Sequence, residues 1–234
     1  TENARRRFVS DASHELKTPL AGIRLLTDSI LQTDHMDEET TKEFVTDIGR
    51  EAERLSRITE NLLRLTRLDS GVVQQPYPVA VGPVLERVER MLTMVAQEKG
   101  VTVSGAADED AVALATDDDV HQILYNLMEN AIKYSAAEDG FVRAEAHVDG
   151  DKVVLTVSDN GIGIPDEDLP HIFDRFYRVD KMRSREVGGT GLGLSIVKDT
   201  IENRGGTISA GHGANGVGTV FTVYLPLAER GEEA

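Results

Sequence analysis

The chain has 234 residues, enough for one or two domains with a proper core, and its 40% hydrophobic and 28% charged content argues against wholesale disorder. A net charge of −16 disfavours nucleic acid as a partner, and the lack of cysteine excludes disulfides, cysteine zinc sites and thiol catalysis. No apolar run approaches the roughly 18–20 residues that span a bilayer and no signal peptide is visible, so this fragment is expected to make no membrane contact.

Residues 1–70 read as helix almost throughout. In the first stretch Val9, Ala12, Leu16, Pro19, Ile23, Leu26 and Ile30 alternate spacings of three and four, the seam of a coiled coil or bundle. "QTDHMDEET" is a polar turn with Asp37 or Asp34 as the N-cap. The second stretch repeats the seam with Phe44, Ile48, Leu55, Ile58, Leu62 and Leu65. A two-helix hairpin leaves this seam uncovered, and pairing two hairpins into a four-helix bundle would bury it, which predicts a homodimer. Because the chain opens already in a helical pattern, it is expected to be a piece of something longer.

The stretch "SDASHELKTPL", Ser10 to Leu20, sets His14 beside Glu15. It lacks the second histidine of the H-E-x-x-H zinc motif, because Thr18 stands in that place. His14 lies two residues from both Ala12 and Leu16, so at 100° per residue it points roughly opposite the seam and is expected to be exposed. On these residues alone it is a surface histidine or a ligand without partners. Pro19 removes a helix hydrogen bond and is expected to bend the helix just after His14.

Pro/Gly punctuation marks a linker over 71–80. Beyond it, over 81–228, helices fit Pro83–Lys99, Asp117–Ser135 and Leu192–Asn203. Strands fit "VTVSG", "AVALA", "FVRAEAHV", "KVVLTVSD", "GTISAG" and "GTVFTVYLPL", with tight turns at Asp149-Gly150 and in the Gly-rich 211–218. This interleaving predicts an α/β layer of helices on a mixed or antiparallel sheet, followed by a short tail over 229–234.

Three glycine clusters compete. "GHGANG" (Gly211, Gly213, Gly216) spells the dinucleotide fingerprint, but a strand follows it where a helix is needed, so it reads as a hairpin turn. "DNGIGIP" follows an alternating strand, and "GGTGLGLSIVK" runs into an amphipathic helix. The latter lacks the Lys-Ser/Thr of a P-loop but could bring backbone N–H groups to phosphates. Taken alone, each is equally a turn.

"NLMENAIKY" changes that balance. Asn126, Asn130 and Lys133 share one helix face. The order of this helix, "DNGIGIP", "IFDRFYR" and "GTGLG" resembles the N, G1, F and G2 boxes of the GHKL ATPases. More narrowly it is similar to the ATP-binding domain of a sensor histidine kinase, and "HELKTPL" resembles that family's H box on its dimerisation and phosphotransfer hairpin. The likeness covers about residues 5–228. It implies an α plus α/β architecture: a hairpin over 1–70 forming a dimeric four-helix bundle, then a GHKL sandwich with a mixed sheet.

The resemblance implies ATP and Mg²⁺ as cofactors. By that likeness Asp159 would accept from the adenine amino group, and Gly161 and Gly163 would let the loop pass close to the base. Asn130 with Asn126 would bring Mg²⁺ to the phosphates. Lys133 would face phosphate and Tyr134 the base or ribose, while Gly189, Thr190, Gly191, Leu192 and Gly193 would wrap the triphosphate. Between the F and G2 boxes, Arg175, Arg178, Lys181, Arg183 and Arg185 stand against Asp174 and Asp180, a local excess of positive charge in an acidic protein. A charge run is ordinarily a solvated face. Beside a phosphate loop it reads as a lid, with Arg178 as its phosphate contact. Phe173 and Phe176 are core or a hinge for that lid.

With an ATP domain attached, His14 becomes the phosphoacceptor. Glu15 would accept the Nδ1 proton and leave Nε2 as nucleophile. The phosphoryl group would then pass to an aspartate of a separate response regulator receiver. Family members with this Glu-x-x-Thr arrangement also dephosphorylate their regulator, which gives Thr18 the role of directing water. The likeness also implies a cytoplasmic piece of a bacterial membrane-anchored sensor. The alternatives are a serine-directed kinase or conformational ATPase of the same superfamily, which lack the H box, and a non-catalytic dimeric adaptor.

Overall fold

The computed structural model of the chain describes residues 2–33, 35–70, 74–135, 139–179 and 189–228. The chain divides into two compact units, Thr1–Arg67 with Arg175–Gly193, and Leu68–Asp174 with Leu194–Ala234. Among the described residues no helix is long and apolar enough to cross a membrane.

The first unit is built on two long helices, α1 (Glu2–Gln32) and α2 (Glu38–Asp69). Asp37 is the cap that the turn required: its carboxylate accepts from the Thr40 N–H at 2.8 Å and the Thr40 hydroxyl at 2.7 Å. These bonds hold the Asp37 carboxyl below its ordinary range. Pro19 is buried, and α1 runs through it as one helix although the Glu15 carbonyl has lost its i+4 donor. Ile58 and Leu65 of the predicted seam are fully buried and most other seam residues are half-buried. Leu20, Leu25, Leu31, Val45 and Leu63 stay more than half exposed in the single chain, from 54% to 80%.

The second unit is an α/β layer. The sheet order is β2 (Val101–Ala107), β4 (Gly140–Asp149), β5 (Lys152–Asp159), β7 (Thr219–Pro226) and β6 (Thr207–His212). The β2–β4 pair is parallel and the others are antiparallel, so the sheet is mixed. Helices α3 (Val81–Glu98), α4 (Asp117–Lys133) and α5 (Gly193–Asn203) supply the second layer. Val88, Leu92, Ile123, Leu127, Ile132, Val197 and Ile201 of these helices join Val142, Leu155, Phe221, Val223 and Leu225 of the sheet in one core. Alternation along β4 and β7, one face buried and the other open, is the period-2 pattern that the sequence carries.

The predicted linker needs correcting at its C-terminal end. Tyr77–Ala80 form a strand, β1, antiparallel to β3 (Val112–Ala115), with Val79 turned inward. Pro78 is compatible with this because the pair is two-stranded and offers an edge. Helix α3 begins at Val81, two residues before Pro83, which sits in the first turn where its missing N–H costs nothing. The Gly-rich 211–218 segment is, as read, the connection of an antiparallel pair, β6 to β7, containing one 3₁₀ turn at Ala214–Gly216.

Candidate active site

In the α/β unit the site is assembled from α4, the end of β5 and the start of β7. Helix α4 is anchored at its first turn by a reciprocal capping box between Thr116 and Asp119. Arg204 secures the same carboxylate at 2.7 Å and also donates to the Gln74 carbonyl at 2.7 Å. With its start fixed and its apolar face buried, α4 presents Asn126, Asn130 and Lys133 on the remaining face, all half-buried.

Asp159 is the last residue of β5 and is 7% exposed. Its Oδ1 accepts from the Gly161 N–H at 2.8 Å and from the Thr219 N–H at 3.2 Å. Burial pushes its carboxyl above the ordinary carboxylate range, and the two N–H bonds oppose that push without cancelling it. Gly161 is required by close approach: a Cβ there would lie 2.2 Å from the Tyr134 carbonyl oxygen, which accepts from the Ile162 N–H at 3.1 Å. Asn160 closes the other side, accepting from the Phe141 N–H at 2.8 Å and donating to the Asp139 carbonyl at 2.9 Å.

Two residues here escaped the sequence reading. Gly218 takes φ +73° against Asp159, where a Cβ would lie 1.9 Å from the Asp159 carbonyl oxygen, and Thr219 supplies the second donor. The signal is the Gly-Thr pair that opens the strand after "GHGANG", which strand periodicity alone does not mark as part of a site. Gly161→Ala is therefore expected to lower stability by about 1–3 kcal/mol, since backbone must shift to admit the methyl. It is also expected to weaken ATP binding about tenfold or more by moving the Asp159 loop. Denaturant midpoints and titration with a fluorescent ATP analogue measure the two effects.

In the hairpin unit His14 is exposed, as its angular position required. Thr18 is exposed one turn on, its hydroxyl donating to the His14 carbonyl at 3.2 Å. Glu15 differs from expectation. Its carboxylate is turned to α2, with Oε2 3.5 Å from Arg54, and no hydrogen bond joins it to His14 among the described residues. In the same unit the Thr190 hydroxyl accepts from Asn61 at 3.4 Å and from the Leu192 N–H at 3.3 Å, and Leu192 is fully buried. Gly191 takes φ +69° and its carbonyl accepts from the Phe176 N–H at 2.8 Å. Gly189, Gly193 and Arg178 are half-buried.

The Arg175 guanidinium lies 5.3 Å from the Phe8 ring centroid. Lys181, Arg183 and Arg185 fall outside the described residues. Phe173 packs edge-on to Phe221 in the α/β core, and Phe176 meets Phe8 with centroids 5.9 Å apart.

Among the described residues no three His, Asp or Glu side chains cluster to hold an ion. Asn126 spends its amide nitrogen on the Gln122 carbonyl at 2.9 Å, which leaves its oxygen for a ligand. Amide oxygens on α4 without a carboxylate cage fit Mg²⁺, which keeps several waters and leans on phosphate oxygens. They do not fit zinc, which takes nitrogen, sulfur or carboxylate ligands.

Two family models match the chain. The His kinase A phosphoacceptor domain model matches residues 4–71, and the histidine kinase-, DNA gyrase B- and HSP90-like ATPase model matches residues 115–229. The sensor histidine kinase WalK of Bacillus subtilis is 34% identical over 99% of this chain and 38% of its own length. The sensor kinase WalK of Staphylococcus aureus is 33% identical over 96% of this chain and 54% of its own. Among solved structures, full-length ShkA in complex with AMPPNP is 28% identical, with a TM-score of 0.68 over 95% of this chain and 46% of that one. The Acinetobacter baumannii histidine kinase AdeS shares the fold with a TM-score of 0.73 over 92% of this chain and 98% of that one, at 24% identity. The chain belongs to the sensor histidine kinases of two-component systems and carries their catalytic core. It spans 38% of the length of the B. subtilis relative.

Proposed function

We propose that the chain uses ATP to phosphorylate itself on His14 and then passes the phosphoryl group to an aspartate of a separate response regulator. The observation that carries this reading is an exposed histidine on a seam-bearing helix, in one chain with the buried acceptor Asp159 at the end of β5 beside the half-buried Asn126 and Asn130 of α4. Asp159 reads the adenine amino group, and Gly161 and Gly163 let the loop lie against the base. Asn126 and Asn130 hold Mg²⁺, whose charge offsets that of the phosphates. Lys133, Tyr134, Arg178 and the segment Gly189, Thr190, Gly191, Leu192 and Gly193 complete the nucleotide contacts.

Neutral His14 attacks through Nε2. The Nε2–P bond forms, the bond from the γ-phosphorus to the bridging oxygen breaks, and ADP leaves with the electron pair. The Nδ1 proton goes to Glu15, which takes it with the oxygen that Arg54 does not engage. The exposed apolar side chains of the hairpin support a homodimer in which two hairpins form a four-helix bundle over 1–70, joined through 71–76 to the ATP domain, which begins with β1 at Tyr77. The full-length protein is proposed to be a membrane-anchored sensor with this part in the cytoplasm.

The test is incubation with γ-labelled ATP and Mg²⁺. An acid-labile, base-stable phosphoprotein supports the reading; phosphoserine, or ATP hydrolysis without a phosphoprotein, contradicts it. Thr18 shares the face of His14 one turn along, and we assign it to the reverse reaction, positioning the water that dephosphorylates the regulator. Thr18→Ala is expected to keep autophosphorylation within about twofold and to slow dephosphorylation of the phosphorylated regulator about tenfold or more. Unchanged dephosphorylation would remove Thr18 from the mechanism.

A further inference from the structure

The apolar seam of α2 has one polar interruption. Spacings of three and four put a position between Ile48 and Leu55, at residue 51, and Glu51 stands there. Arg54, one turn on, is 7% exposed. Its Nη2 lies 3.5 Å from Glu15 Oε2 on α1 and its Nη1 lies 4.0 Å from Glu51 Oε2. Arg54 Nε and Glu51 Oε2 are buried with no hydrogen-bond partner among the described residues.

A layer this loose is a poor device for stability. Desolvating a guanidinium and two carboxylates is costly, and ion pairs at these distances return little, so apolar residues of similar volume would serve the seam better. The layer is also not placed at random along the hairpin. Its partner on α1 is the residue next to His14, and only one oxygen of that partner is engaged. Glu15 Oε1 has no hydrogen bond among the described residues.

We propose that Arg54 is a positioning residue for phosphoryl transfer: from α2 it holds Glu15 by Oε2, leaving Oε1 to take the Nδ1 proton of His14. This rests on the reading of Glu15 as the proton acceptor. Glu51 balances the guanidinium and keeps it from closing a tight pair with Glu15, so the carboxylate stays placed without being sequestered. A lysine at 54 retains one such contact; a methionine retains none.

The experiment is steady autophosphorylation with ATP, read as kcat and KM separately, in Arg54→Met, Arg54→Lys, the double variant Arg54→Met/Glu51→Met, and Arg54→Met on a Glu15→Gln background. Arg54→Met is expected to lower kcat by about 10- to 100-fold with the KM for ATP unchanged. Arg54→Lys is expected to recover most of that loss. The double variant removes the buried charges, so it is expected to melt at or above the wild-type temperature while remaining as slow as Arg54→Met. A purely structural arginine would instead be rescued by it. In Glu15→Gln, adding Arg54→Met is expected to cost no more than about twofold further. Wild-type kcat in the double variant, or an undiminished loss on the Glu15→Gln background, overturns the role of Arg54. Wild-type kcat in Glu15→Gln alone refutes the reading of Glu15 itself.

Discussion

His14→Gln is expected to abolish phosphoryl incorporation, by at least about a thousandfold, while leaving the fold and the nucleotide site unchanged. Glutamine has the size and hydrogen-bonding capacity of the imidazole but no nitrogen lone pair able to attack phosphorus, so the covalent step is lost outright. Because the side chain is exposed, the substitution should move stability by no more than about 0.5 kcal/mol. The comparison has an internal control in the other histidines, His35, His121, His147, His171 and His212, all of which remain in the variant. His171 and His212 are engaged with Asp174 at 3.2 Å and Asp166 at 2.7 Å. Labelling with γ-labelled ATP, melting curves and ATP titration together check the prediction. Residual label above about 1% would mean that another residue accepts the phosphoryl group.

Asp159→Asn is expected to separate stability from binding in opposite directions. Asparagine Oδ1 can still accept from the Gly161 and Thr219 N–H groups, so the loop keeps its geometry. Its second polar atom, however, becomes a donor. Where the carboxylate would accept from the adenine amino group, two donors now meet, and ATP affinity is expected to fall by about 100-fold or more. Stability moves the other way. Burial raises the Asp159 carboxyl above its ordinary value, so the folded state binds its proton more tightly than the unfolded state. The contribution of Asp159 to stability is therefore most favourable below the unfolded value, and it declines as pH rises through the window up to the folded value. At neutral pH the wild type carries the full cost of a buried charge, which asparagine lacks. The variant is expected to melt higher than wild type at pH 7, and the gap should shrink toward acid. Melting curves across pH and calorimetric ATP titration test both halves; a variant that loses stability at pH 7 would mean that the carboxylate is a net stabiliser.

What the sequence made legible is what local periodicity and box order can carry. Seam spacings disclosed two long helices, alternation disclosed β4, β5 and β7, and the order of glycine loops disclosed the class of ATP site. Contacts made across distance in the chain were not legible. Glu15 meets Arg54 across 39 residues, a pairing set by how the two helices are rotated in the hairpin, which adjacency to His14 does not disclose. Thr219 reaches Asp159 across 60 residues because β7 lies beside β5 in the sheet, which strand patterns alone do not order. The strand at Tyr77–Ala80 was hidden by its length and by Pro78, both of which read as linker until β3 is placed beside it. Each miss is a case of tertiary pairing overriding a correct local reading.

The most direct test of the account is to map the phosphoryl group to an atom. After reaction with ATP, peptides prepared and separated under alkaline conditions, which preserve phosphohistidine, should contain one phosphorylated species spanning His14, and ³¹P spectroscopy should place the phosphorus on Nε2. Phosphate on Ser13, on Thr18 or on any other histidine would contradict it.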